Sequence, residues 1–291
     1  MLLVAGKNIF AQNDSVVKAA LLLQDQNTPA EERVKQALEV IDRAILHPES
    51  AKSAYAWYVR GFVYKDWYKT FESQNKKSKT RLDAVAYMKK ALELDTAKEY
   101  AADIKKTLKY LGSTFYNDAG AALDMTNYQI AIENYEKFKE CMLIAEPNYN
   151  VKIREVEFKN ALATVYEKIF RSDLKTNSQF FGMTEELYKQ VIVLDTNNWG
   201  ANYNLAMLYY NYGVDIINLM DVSEDIIVIE NIQEEAKGLF KKALPYALKP
   251  YALNQKRREV LIALQGIYFS LYEFDKSDEF KAKVELLDKE K

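Results

Sequence analysis

One histidine and one cysteine are all that this chain holds of the residues that most often serve as bases, nucleophiles and soft metal ligands. That count excludes a three-histidine zinc site, a His-Glu-x-x-His site and an intrachain disulfide. The histidine, His47, stands before Pro48 at a predicted helix end. There an imidazole can cap free carbonyls and meet the negative end of the helix dipole. That placement speaks for a structural role over a general base. Cys141 lies mid-chain on a predicted helix and reads as an inert buried thiol. Two carboxylate pairs, Glu185-Glu186 and Glu234-Glu235, would suit a two-carboxylate hydrolase if they met in space. Both fall in predicted first turns, where negative charge is favourable, and no pocket-forming pattern accompanies them. Neither the Gly-x-Gly-x-x-Gly loop nor the P-loop occurs. No catalytic residue, metal ligand set or cofactor is therefore expected, and an enzyme is the least favoured reading. Lys105, Lys106 and Lys109, with Lys98 nearby, form a basic stretch. It reads as a solvated helix face, with a patch for an acidic peptide as the functional alternative.

Bulk composition narrows the class. The 291 residues are enough for one large domain or two ordinary ones. The chain carries 40 Lys and Arg against 42 Asp and Glu, a net charge of −2. A nucleic-acid binder would need a clear basic excess. No run of 18 apolar residues is present, so no membrane span is expected. With 9 Gly, 5 Pro and 13% aromatics, the chain is neither loop-rich nor disordered. Residues 1–12 end in Ile-Phe-Ala-Gln, which resembles the tail of export signals in some Gram-negative bacteria. Ala11 would precede the cut, but a basic n-region is missing and Lys7 interrupts the apolar run. Residues 1–12 are expected to be a truncated export signal or a disordered N-terminus. The expected compartment is periplasmic or secreted, with cytoplasmic as the alternative.

Internal repeats organise the rest. A small residue at helical spacing from large ones recurs as Trp57, Arg60, Gly61, Tyr64; Leu108, Leu111, Gly112, Phe115; Leu162, Ala163, Tyr166; and Leu205, Ala206, Tyr209. A fifth set, Leu261, Leu264, Gln265, Tyr268, replaces the small site, with Gly266 adjacent. Between these come sets with a small residue, a large one four places on and a small or apolar one after three more. They are Ala37, Ile41, Ala44; Ala84, Met88, Ala91; Ala131, Tyr135, Phe138; and Ala236, Phe240, Ala243, with weaker copies at Thr184, Tyr188, Val191 and Ser277, Lys281, Val284. Gly or Ala at a crossing lets two helices approach, and the aromatics fill the groove beside them.

These sets resemble the tetratricopeptide repeat over about residues 14–288, in about six units. The resemblance implies an all-α, right-handed α-solenoid of stacked antiparallel hairpins, a single solenoid over 13–288 followed by a tail at 289–291. Intervals from small site to second-helix site are 23, 19, 21, 30 and 12 residues, where the repeat has 12. The excesses of 7, 11 and 18 are near whole turns and predict lengthened helices in repeats two, three and five. The excess of 9 in repeat four predicts a loop. Thr28-Pro29-Ala30-Glu31 and Thr126 with Gln129 read as capping boxes. Pro48, Pro147 and Pro250 are expected to follow second helices. Ser73–Ser78 reads as a polar turn, and Ile226–Ile229 as a buried loop or short helix.

In the resembled family, first helices line a concave groove that binds peptides or protein segments. The resemblance implies groove positions that include Tyr55, Tyr58, Phe62 and Lys65; Lys106, Lys109 and Tyr116; Asn160; Tyr203, Met207 and Tyr210; and Ile262, Gly266 and Phe269. The family's clamp for a C-terminal carboxylate is broken here: Lys109 fits, but Ser113 and Ala161 stand where Asn is required. The expected function is a non-enzymatic protein–protein interaction scaffold, with a self-associating structural protein as the alternative. Inserted turns covering the aromatics would make them core instead.

Overall fold

The computed structural model describes residues 11–289 except Val222. Helix makes up 79% of the structure, and no strand occurs among the described residues. The export-signal expectation falls almost wholly outside the described residues. The helices divide between two compact units, with the chain boundary between Val151 and Lys152.

The first unit holds α1 (Ala11–Gln24), α2 (Ala30–Ala44), the single-turn α3 (Pro48–Ala51) and α4 (Ala54–Trp67). A π turn, Tyr68–Glu72, extends α4 and leads to α5 (Lys79–Leu94), α6 (Ala101–Ala121) and α7 (Tyr128–Ala145). The second unit holds α8 (Lys152–Ser172), α9 (Gln179–Leu194), α10 (Trp199–Asn218), α11 (Ile226–Leu253), α12 (Arg258–Ser270) and α13 (Phe274–Lys289). In each unit, consecutive helices pair into hairpins: α1 with α2, α4 with α5, α6 with α7; then α8 with α9, α10 with α11, α12 with α13. Short connections make such pairs antiparallel. First helices also meet the next first helix, α4 with α6 in one unit and α8 with α10 and α10 with α12 in the other. Each unit is thus a stack of helical hairpins, the arrangement of an α-solenoid.

The repeat register holds at the crossings. Ala37, Ile41, Ala84, Met88, Ala91, Ala131, Thr184, Tyr188, Val191, Ala236 and Ala243 are fully buried. A Cβ added at Gly112 would lie 3.1 Å from Cys141 Cβ, and one at Gly61 would lie 2.9 Å from Met88 Cε. Burial pushes the Cys141 thiol up to about 12. In α13 the register differs: Lys281 is exposed and Phe280 takes the inner place. Ser277 Oγ donates to the carbonyl of Gln265 at 3.0 Å, so a small residue still meets the crossing.

Several local expectations are corrected. Neither capping box forms. The Thr28 hydroxyl donates to Asp25 Oδ2 at 2.6 Å and leaves α2 with no side-chain cap. Ahead of α7, Asp124 Oδ1 accepts from the backbone N–H groups of Thr126 and Asn127, each at 2.8 Å. A carboxylate two or three residues upstream reaches those donors in an Asx turn and supplants the hydroxyl. His47 sits at a helix start, its Nδ1 accepting from Glu49 N–H at 3.4 Å, because Pro48 opens α3. Pro250 does not end a helix: it lies inside α11 with Pro245, and the helix runs on to Leu253. Ile226–Ile229 is helical, as the second of its two readings has it, but it is the exposed opening turn of the long α11, with Ile226 64% exposed. The glutamate pairs are mid-helix, since α9 starts at Gln179 and α11 at Ile226. Helices are long in repeats three and five as expected, but α8 in repeat four has 21 residues as well, beside its turn. Ser73–Ser78 is the expected turn, with Ser78 Oγ capping α5 through Arg81 N–H at 3.0 Å.

Candidate functional site: the first-helix clefts

Each unit has a cleft where two first helices run side by side. In the second unit, α10 contributes Tyr203, Met207 and Tyr210 at i, i+4 and i+7, one face of a helix. From α12 come Glu259, Ile262, Gly266 and Phe269, again at helical spacing, with Ala263 and Gln265 completing a cleft of about 350 Å³. Tyr203, Met207, Tyr210 and Phe269 are four of the residues placed in the groove by resemblance, and they come together here. Phe269 is 61% exposed and Ile262 43% exposed, while the two tyrosines and Met207 are half-buried. Gly266 makes the close approach possible: an added Cβ would lie 2.6 Å from Tyr210 Oη. Trp199 stacks on Tyr203 with ring centres 5.1 Å apart and planes at 9°. The Arg257 guanidinium lies 3.9 Å from the Trp199 ring centre, a cation–π arrangement. Burial, and then the charge of Glu259, raises the Tyr203 phenol above its ordinary range.

In the first unit, α4 and its π turn contribute Phe62, Lys65 and Lys69, and α6 contributes Asp103, Lys106, Thr107 and Tyr110, around a cleft of about 260 Å³. Phe62, Lys65 and Lys106 stand at groove positions that the resemblance implies. Lys69, Asp103 and Tyr110 were missed. The spacing of Phe62, Lys65 and Lys69 continues one stripe through the π turn, and Asp103, Lys106 and Tyr110 make the facing stripe, so helical periodicity extended beyond the repeat's usual length would have found them.

Tyr58 is the clear correction. It has no exposed surface, and its hydroxyl donates to Asp103 Oδ2 at 3.1 Å. Its ring packs edge-on to Phe62 at 4.9 Å and against Tyr100 at the same distance. The segment leading into α6 places Tyr100 over it, so the ring is core. Tyr55 is half-buried against Tyr100 at 5.5 Å, and burial raises its phenol. Lys109 is exposed and paired with Glu146 at 2.7 Å. Tyr116 is half-buried, 4.9 Å from Phe138 between ring centres. Asn160 donates weakly to Asn198 Oδ1 at 3.5 Å, the oxygen that caps α10 through Ala201 N–H at 2.9 Å. None of these four lines either cleft.

The carboxylate pairs are committed to structure or solvent. Glu185 accepts from Lys189 Nζ and, at 2.7 Å, from Tyr209 Oη. Those partners outweigh the opposing effect of burial and hold its pKa below the usual glutamate range. Glu234 and Glu235 are exposed. No group of three or more His, Cys, Asp or Glu among the described residues is placed to hold a metal ion. No described helix is long and apolar enough to cross a membrane.

No protein-family model and no curated protein matches the sequence. Among solved structures, the chain is similar to the nuclear import adaptor Nro1 of S. pombe, at 12% identity and a TM-score of 0.35, over 96% of this chain and 94% of that one.

Proposed function

We propose that the hairpins are tetratricopeptide-type repeats and that the protein is a non-enzymatic interaction scaffold, holding a peptide or protein segment against its first helices. The carrying observation is the α10–α12 cleft. Residues from two successive repeats, the half-buried Tyr203, Met207 and Tyr210 on one and the exposed Ile262 and Phe269 on the other, line one space. A core would close over such surface; an exposed aromatic and aliphatic cluster with a thioether suits an adaptable contact face. Self-association through this face is the competing use.

A peptide-display library selected on the whole protein tests the reading. Selected peptides are expected to lose at least about tenfold in affinity for Phe269→Ala and Ile262→Ala, as interface anchors do, with the melting temperature unchanged. Failure to select any peptide, or affinity indifferent to both variants, overturns it. Size that rises with concentration in scattering and falls with Phe269→Ala would instead favour self-association.

A further inference from the structure

The α4–α6 cleft differs from the α10–α12 cleft in charge. Three lysines, Lys65, Lys69 and Lys106, and one carboxylate, Asp103, line it. The chain as a whole is at −2, so this local excess of cations runs against the molecule's own balance. Lys65 is partly neutralised by Asp66 at 2.7 Å, and its ammonium lies 4.8 Å from the centre of the Phe62 ring. Asp103 already accepts the Tyr58 hydroxyl. Lys69 and Lys106 are exposed and have no ion-pair partner among the described residues. Lys69 rides on the π turn, a widened turn of a kind frequent at functional sites. The same cleft is lined by the half-buried Phe62, the Tyr110 ring, which is 40% exposed, and the buried Thr107. Two exposed cations outside any ion pair, in one cleft with two aromatic rings, are complementary to a segment that carries carboxylates and an apolar side chain.

We infer that the α4–α6 cleft receives an acidic polypeptide segment that carries an apolar side chain between its carboxylates. This rests on the interaction-scaffold reading and names the partner's chemistry. Its carboxylates meet Lys69 and Lys106, and its apolar side chain lies against Phe62 and Tyr110. Exposed ion pairs are weak singly and screened by salt, so binding is expected to be salt-sensitive.

The test uses the whole chain and a fluorescein-labelled heptapeptide, Asp-Glu-Asp-Phe-Glu-Asp-Glu, followed by anisotropy. The comparison probes are the same peptide with every acid replaced by its amide, a lysine counterpart, and oligodeoxythymidine. The acidic peptide is expected to bind at low salt, at least about tenfold tighter than the amide peptide, with affinity falling as salt rises. Lys69→Glu with Lys106→Glu is expected to lower that affinity at least about tenfold, since like charges now face each other. Both residues are exposed, so folding should be retained; should the double reversal melt early, Lys69→Gln with Lys106→Gln replaces it, with the same direction of effect. Phe269→Ala, in the other unit, is expected to leave this peptide's affinity unchanged. Equal binding of acidic and amide peptides, or indifference to both lysine variants, overturns the inference. Tighter binding of oligodeoxythymidine through the same lysines also overturns it, because the site would then be a nucleic-acid patch. Library peptides that depend on Phe269 while the acidic peptide fails would sink this inference alone; the reverse would sink the α10–α12 reading and leave this one standing.

Discussion

Glycines at similar helical positions carry opposite expectations, decided by what a methyl group would meet. At Gly213 an added Cβ would lie 2.6 Å from Phe240 Cε1, on a rigid ring wedged at the α10–α11 crossing. At Gly238, inside α11, nothing lies within 4 Å. Alanine gains up to about 1 kcal/mol over glycine in a helix interior, whereas overpacking costs about 1–3 kcal/mol. Gly213→Ala is therefore expected to lower the melting temperature and Gly238→Ala to raise it, measured side by side. Glu167 supplies a second residue-scale prediction. Burial raises its carboxyl pKa, against the opposing pull of Arg171 and the Tyr188 hydroxyl. A raised pKa means the fold favours the protonated form, so the stabilising contribution is full below the ordinary glutamate range and lost as pH rises through the folded value. Glu167→Gln is expected to melt above the parent at pH 7, with the gap narrowing as pH falls toward the ordinary glutamate value of 4.5. A gap that widens on acidification would contradict this.

At the scale of helices, the approach to α7 is set by an Asx turn that precedes its first residue. Asp124 takes four donors from Thr126 and Asn127, two backbone and two side-chain, and these hold its pKa well below the carboxylate range. Asp124→Ala is expected to lower the melting temperature, and Thr126→Ala to lower it less, because the threonine hydroxyl is a donor here and not the cap. Amide exchange at the start of α7 should quicken in the first variant. Equal effects of the two would restore the threonine as the cap. Lengthened helices follow the same logic of faces. In α10, Ala206 and Gly213 are two turns apart on one stripe, and Phe240 fills the second gap, so added turns repeat the crossing instead of breaking it.

At the scale of the molecule, each unit carries its own buried stripes and hairpin pairings. Residues 1–151 and 152–291, expressed separately, are expected to give helical circular dichroism and cooperative melts. A fragment that stays a random coil would show that its hairpins need the rest of the chain. The clefts also separate at this scale. Tyr58→Ala is expected to cost about 3–5 kcal/mol of stability, as for a buried aromatic truncated to alanine. Phe269→Ala should cost little stability, so the two variants divide core from contact surface in one thermal melt.

Much of this was readable from the residues in order. Small residues alternating with large ones at 3.6-residue spacing determine helices, and their recurrence determines which faces pair; Ala37, Ala84, Ala131 and Ala236 are all buried where that pattern puts them. Local spacing works because both partners of a hairpin crossing come from short, contiguous segments. It fails where the deciding group arrives from elsewhere. Tyr58 sits on the face expected to bind a ligand, yet Tyr100 and Asp103 close over it from the next hairpin. Lys69 joins a cleft because a π turn carries it there, and Tyr210 reaches the other because Gly266 on α12 lacks a side chain. Exposure and electrostatic surroundings depend on neighbours distant in sequence, and only the packed helices decide which aromatics remain open and which lysines keep no counter-ion.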